Sequence, residues 1–196
     1  MKRAIIFGGA FNPPSKGHVW IVSECAKLAR QTGAEVWIMP SGERRDKHIG
    51  VSKNLRLELC QAMVEDADTE GVFVRILTSE LDREELVETI DTVMEFERRY
   101  PDYELSWVFG ADSFLSMSTW RGGEWMCAHL DFILVTRNGY PVESRQRVRI
   151  IEGVHGDVSS TQIRQAHSRR RSFAQYVTPQ VRQLLETADI RYTNEQ

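Results

Sequence analysis

The sequence of 196 residues predicts an α/β fold: a single doubly wound, Rossmann-like domain whose mainly parallel sheet is flanked by helices. Three observations lead there. Short apolar runs of strand length are separated by longer stretches with helical spacing. Strand and helix alternate from end to end, which sets the strands parallel with crossover helices on both faces. The length suits one substantial core, and no linker, repeat or low-complexity tract divides it. Residues 1–196 are therefore expected to form one domain, with a C-terminal helical segment at about residues 159–190 packed on it.

Each element has its own signal. Ala4 to Phe7 is apolar throughout, as in a strand buried on both faces. His18 to Thr32 reads as a helix, with Val19, Val22, Ala26 and Ala29 at helical spacing and Gly33 as its stop. Val36 to Met39 is a second strand closed by Pro40, and the loop from Ser41 to Val51 is polar and charged. Helical periodicity returns from Asn54 to Asp66 through Leu55, Leu59, Ala62 and Met63. Val72 to Leu77 is a third strand. Residues 84–100 read as a long amphipathic helix with Leu86, Ile90, Val93 and Phe96 on one side. Leu105 to Phe109 and Phe132 to Thr136 are strands four and five, and residues 148–154 a sixth whose charges suit a sheet edge. Helices from Ser160 to Ser168 and from Thr178 to Ala188 finish the chain.

Composition narrows the function classes. The chain is 41% hydrophobic and 27% charged with a net charge of -3, and its pI is near 6.0. A dedicated duplex-binding protein would carry a strongly basic face, so no nucleic-acid partner is expected. Cys25, Cys60 and Cys127 are scattered and odd in number, which points away from a disulfide framework or a zinc site. Cys25 and Cys60 fall within apolar helical patterns and read as small buried hydrophobes. A reducing, cytoplasmic setting fits. No apolar run approaches a membrane span, and the start of the chain is too short in apolar residues for a signal peptide.

In doubly wound sheets, ligands bind beyond the carboxyl ends of the strands, where the strand order reverses. The turns there carry the chemistry. After the first strand comes GGAFNPPSKGH, Gly8 to His18. The glycines let backbone amides approach a phosphate, the prolines stiffen the loop, and His18 falls where a helix start favours an anion. The plainer reading is a rigid turn with a capping histidine. It matches neither a Walker A loop nor GxGxxG. The fourth strand ends in Gly110-Ala111-Asp112-Ser113, where Asp112 either caps a short helix or accepts hydrogen bonds from a ribose. Trp120-Arg121 lies in a polar, glycine-rich setting, which suits a stacking surface as well as it suits packing. Ser159-Ser160-Thr161 opens a helix with Arg164 one turn on, either an ordinary cap or an anion site.

Together these turns resemble the nicotinamide/nicotinate mononucleotide adenylyltransferases, within the nucleotidyltransferase superfamily marked by [HT]xGH. The opening motif appears as GGAFNPPSKGH, the closing ISSTxIR as VSSTQIR, and the middle region as GADSFLSMSTWR; YVTPQVRQLL is similar to the family's C-terminal helix. The resemblance spans nearly the whole chain. It implies that His18 hydrogen-bonds the α-phosphate of ATP and that Gly8, Gly9, Ala10 and Phe11 lie along the nucleotide. It places Gly110 and Asp112 near the adenosine ribose, and Ser160, Thr161 and Arg164 on the β- and γ-phosphates. Trp120 would stack on the pyridine ring of the mononucleotide. Lys47 falls in the family's phosphate-binding loop, and Arg137 follows the fifth strand beside the mononucleotide.

The implied reaction is transfer of AMP from ATP to nicotinamide or nicotinate mononucleotide, with pyrophosphate leaving. The attacking phosphate is already ionised, so positioning and charge neutralisation matter more than acid–base work. Mg²⁺ would arrive with ATP, and no all-protein metal site is expected. Two residues depart from the family pattern. Asn12 stands where many members have Asp, and Ser15 where the first His or Thr is expected, with a hydroxyl that can still donate to a phosphate. Two other functions share some of these features: a related transferase using an acceptor such as pantetheine phosphate, and a nucleotide sensor without turnover. His129 and His155 lack metal-ligand spacing. His167 precedes Arg169-Arg170-Arg171, which reads as a solvated face or a lure for triphosphate. The acidic stretch from Glu80 to Glu88 reads as a helix start with a solvent face.

Overall fold

A computed structural model describes residues 1–42, 51–83, 85–136, 147–153, 158–188 and 192. Six strands form one sheet: β1 (Lys2–Gly9), β2 (Glu35–Pro40), β3 (Val74–Ile76), β4 (Tyr103–Gly110), β5 (Asp131–Thr136) and β6 (Val148–Glu152). Their order is β3-β2-β1-β4-β5-β6 and every pair is parallel. Sequence-consecutive strands run outward from β1 on one side, and β4 opens the other half. The reversal therefore falls between β1 and β4, where Phe7 pairs with Ile38 on one side and Val108 on the other. The charged β6 sits at an edge, as its composition suggests.

The helices are α1 (Lys16–Thr32), α2 (Lys53–Glu65), α3 (Thr89–Arg99), α4 (Ala111–Ser116), α5 (Gly123–His129), α6 (Ser160–Ser168) and α7 (Pro179–Thr187), with a 3-10 turn at Met117–Thr119. Alternation along β1 divides the core. Ile5 and Phe7 face α1, α2, α6 and α7 through Val22, Leu59, Ile163 and Val181. Ala4 and Ile6 face the other layer through Val93, Phe96, Phe114 and Met126. The C-terminal helices thus share one apolar core with the first strand. Asp66, just past α2, accepts the backbone N–H groups of Gln180 and Val181 at the start of α7, which satisfies donors a helix start leaves unpaired.

Three elements differ from the sequence expectation. The helix expected over residues 84–100 begins at Thr89, so Leu86 lies outside it and is exposed. The reason is a capping box: Glu88 is the N-cap and Asp91 reaches back to its backbone N–H. The third strand shrinks to Val74–Ile76, paired only along β2. Helix α5, seven residues long, is too short to show periodicity and had no expectation attached. Cys25 and Cys60 are buried, and burial pushes both thiols up to about 12, so they pack as hydrophobes. Among the described residues no helix is long and apolar enough to cross a membrane.

Candidate active site

The loop after β1 is held from all sides. Phe11 takes the left-handed region, with φ 45°, and its buried ring meets the edges of Phe7 and His18 at 5.3 and 5.4 Å. A Cβ on Gly9 would stand 3.1 Å from that ring, so glycine is needed there for the close approach. The loop's carbonyls are claimed by distant side chains. Arg56, 2% exposed, donates to Ala10 O at 2.9 and 3.2 Å and to Ser41 O at 2.5 Å. Arg164 Nη1 donates to Asn12 O at 2.9 Å, and Ser160 Oγ to Pro13 O at 2.8 Å. The turns after β1 and β2 and the start of α6 are thereby tied into one unit.

Ser15 is the N-cap of α1 and His18 its third residue. The backbone N–H of Ser15 donates to His18 Nδ1 at 3.0 Å, and the serine hydroxyl lies 2.8 Å from the same nitrogen. A backbone N–H can only donate, so Nδ1 accepts and the neutral ring carries its proton on Nε2. Ser15 is 1% exposed. Its hydroxyl is therefore turned toward His18 and not toward open solvent. The imidazole also packs against the ring of Phe7, 6.2 Å away.

A cavity of about 490 Å³ opens at the carboxyl ends of β1, β2 and β4, where the strand order reverses. Phe7, Gly8 and Gly9 of β1 border it, as do Trp120 and Arg121. Ser41, Gly42 and Glu80 line the β2 side. Glu80 accepts from the Gly42 N–H at 3.3 Å and from Thr92 Oγ1 at 2.6 Å. Trp120 is half-buried and meets Phe109 edge to face at 6.2 Å. A second hollow of about 470 Å³ lies at the amino ends of the strands, around Arg3, Glu104 and Arg147. Among the described residues, none expected at the site borders it, whereas Gly8, Gly9, Gly110 and Trp120 line the switch-point cavity, which is therefore the candidate site; His18, Asp112, Ser160, Thr161 and Arg164 are not among the residues lining either hollow.

The structure places the remaining expected residues as follows. Gly110 ends β4 and lines the cavity; Asp112 is exposed in the first turn of α4, its Oδ1 where a Cβ on Gly110 would collide at 2.5 Å. Ser159 caps α6, accepting from Gln162 N at 3.2 Å while Gln162 Oε1 accepts from Ser159 N at 2.8 Å. Thr161 is exposed on the first turn, and its Oγ1 lies 3.2 Å from Arg164 Nη2. Lys47, Arg137 and His155 lie outside the described residues.

Four contributors escaped the sequence reading. Arg56 sits one turn before Leu59 on the apolar face of α2, and a lone arginine on such a face was its signal. Glu80 and Glu88 read as part of a solvent face, but they line the cavity. Arg121 bridges Glu88 through Nε and Asp91 through Nη2. The guanidinium beside Asp91 lowers that carboxyl's pKa.

Comparison with known proteins agrees with this geometry. Residues 6–166 match the family described as cytidylyltransferase-like. The chain is similar to a protein of Exiguobacterium sibiricum named "Probable nicotinate-nucleotide adenylyltransferase", 37% identical over 184 residues, covering 92% of this chain and 94% of the other. A protein of the same name from Halalkalibacterium halodurans is 30% identical over 202 residues, covering 100% and 94%. Among solved structures, the Plasmodium falciparum nicotinic acid mononucleotide adenylyltransferase complexed with NaAD superposes with a TM-score of 0.77 at 18% identity, covering 95% of each chain. At that identity the likeness is one of fold.

Proposed function

We propose that this chain, which belongs to the cytidylyltransferase-like family, is a nicotinate-nucleotide adenylyltransferase of NAD biosynthesis, as its curated relatives are named. The observation that carries this reading is the single cavity joining the glycine end of β1 to Trp120. Its two ends suit a nucleotide phosphate and a planar ring in one space. The mononucleotide's 5′-phosphate oxygen attacks the α-phosphorus of ATP. The new P–O bond forms as the bond to the β-phosphate's bridging oxygen breaks, and pyrophosphate leaves.

In this reading His18 donates from Nε2 to the α-phosphate, where charge develops during transfer. Ser15 acts through it, holding Nδ1. Gly8, Gly9, Ala10 and Phe11 present backbone along the nucleotide, with Gly110 and Asp112 beside the adenosine ribose. Ser160, Thr161 and Arg164 bring the start of α6 to the β- and γ-phosphates, joined by Lys47. Trp120 stacks on the pyridine ring, and Arg137 attends the mononucleotide. Mg²⁺ supplies charge neutralisation on the triphosphate when bound. Three free cysteines suit a reducing, cytoplasmic placement.

The test is pyrophosphate release by purified protein with ATP and Mg²⁺, offering nicotinate mononucleotide, nicotinamide mononucleotide and pantetheine phosphate separately. Release that requires a pyridine mononucleotide is expected. Release only with pantetheine phosphate, or ATP binding without release, would overturn the reading in favour of another acceptor or a sensor.

A further inference from the structure

We propose that Arg121 is the specificity-determining cation that selects a carboxylate-bearing pyridine mononucleotide over its carboxamide counterpart. The inference rests on the reading above, in which the pyridine ring lies on Trp120. Among the described residues lining the cavity, Arg121 is the one lysine or arginine, and the other ionisable side chains there are Glu80 and Glu88. Without the guanidinium, the ionisable side chains described along the cavity would be carboxylates alone, which would repel another one carried by a ligand. A carboxamide has no net charge and would not feel this repulsion to the same degree.

The position of Arg121 is built. Trp120 and Arg121 both line the cavity, so a ring on that tryptophan shares its space with the cation. The next two residues fix the turn. A Cβ on Gly122, at φ 69°, would lie 2.7 Å from the Ile90 side chain, and one on Gly123 would lie 1.7 Å from Met117 O. The Trp120–Gly123 turn is thus pressed against the start of α3. Glu88 and Asp91 take Nε and Nη2 of the guanidinium. Of its five N–H donors, those on Nη1 have no partner among the described residues. A ligand carboxylate can bind there while the guanidinium stays on α3, and Glu88 competes with it for the same cation.

This competition gives two variants opposite signs. The measured quantity is kcat/KM for nicotinate mononucleotide divided by that for nicotinamide mononucleotide, with Kd values from quenching of tryptophan fluorescence. Arg121→Met is expected to lower the ratio by about 10- to 100-fold, the worth of one charge-assisted hydrogen bond, chiefly through KM. Arg121→Lys should restore part of it, and Glu88→Gln should raise it above wild type. An unchanged ratio in Arg121→Met, or equal losses for both substrates, would overturn the inference and leave Arg121 as a brace between two elements. Wild-type protein that turns over neither mononucleotide would sink the functional reading itself, and the inference with it. Turnover of either substrate with an unmoved ratio sinks only the inference.

Discussion

The two ends of the cavity are held in contrasting ways. At the glycine end, buried arginines and a serine hydroxyl reach across the fold to loop carbonyls: Arg56 to Ala10 and Ser41, Arg164 to Asn12, and Ser160 to Pro13. At the tryptophan end, Arg121, Glu88 and Asp91 meet with roughly half of each side chain exposed. Buried charge-assisted bonds to carbonyls cannot be replaced by water, whereas exposed ion pairs can. The contrast suits the division of labour proposed here. The end that meets the reacting phosphate is rigid, and the end that chooses the substrate remains open to exchange of partners.

Variants can break this contrast. Arg56→Met keeps much of the volume but strands the Ala10 and Ser41 carbonyls. It is expected to cost about 2–4 kcal/mol in urea unfolding and to abolish most turnover; a loss under about 0.5 kcal/mol would contradict the rigid end. Gly9→Ala forces the Phe11 ring, and with it the His18 edge contact, to move. A stability loss of about 1–2 kcal/mol and a fall in kcat near tenfold are expected, measured by thermal melts and steady-state rates. Ser15→Ala leaves the backbone N–H on Nδ1 and removes only the hydroxyl. Its kcat should fall about three- to tenfold, the worth of one neutral hydrogen bond, and Ser15→Thr should recover it.

The smallest effect belongs to the other end. Arg121→Met should lower the melting temperature at neutral pH only slightly, because its exposed partners regain water. Its signature is in acid. The Asp91 pKa, lowered chiefly by its hydrogen bond to Arg121, contributes stability that is present above the unfolded pKa of about 4 and is lost as pH falls through the lower folded value. The variant should therefore lose less stability than wild type on acidification through that window. A large drop in melting temperature at neutral pH would mean that the two ends are built alike.

The fold was legible wherever periodicity ran for several turns or a strand was apolar throughout. β1, α1, β2, α2 and α6 fall within one or two residues of expectation. It failed at residues 85–88, where charges at helical spacing imitate a helix that Glu88 and Asp91 begin only at Thr89. Of the residues read from contiguous motifs, Gly8, Gly9, Gly110 and Trp120 line the cavity. Arg56 and Glu80 were not legible, because their partners, the Ala10 and Ser41 carbonyls for Arg56 and the Gly42 N–H and Thr92 hydroxyl for Glu80, stand at distant positions that no local pattern marks. Ser15 was identified as a position of interest, but a buried hydroxyl on His18 differs from the exposed phosphate donor expected there. That difference is tertiary: the closeness of the loop leaves the hydroxyl no path to solvent.

The central claim is that His18, held through Nδ1, serves the phosphate in transit more than the bound nucleotide. Its most direct test is His18→Ala, comparing kcat for adenylyl transfer with the Kd for ATP. The account predicts a fall in kcat of about 10²–10³-fold with Kd changed by less than about threefold. A Kd that rises as far as kcat/KM falls, with kcat preserved, would contradict it and make His18 a binding residue only.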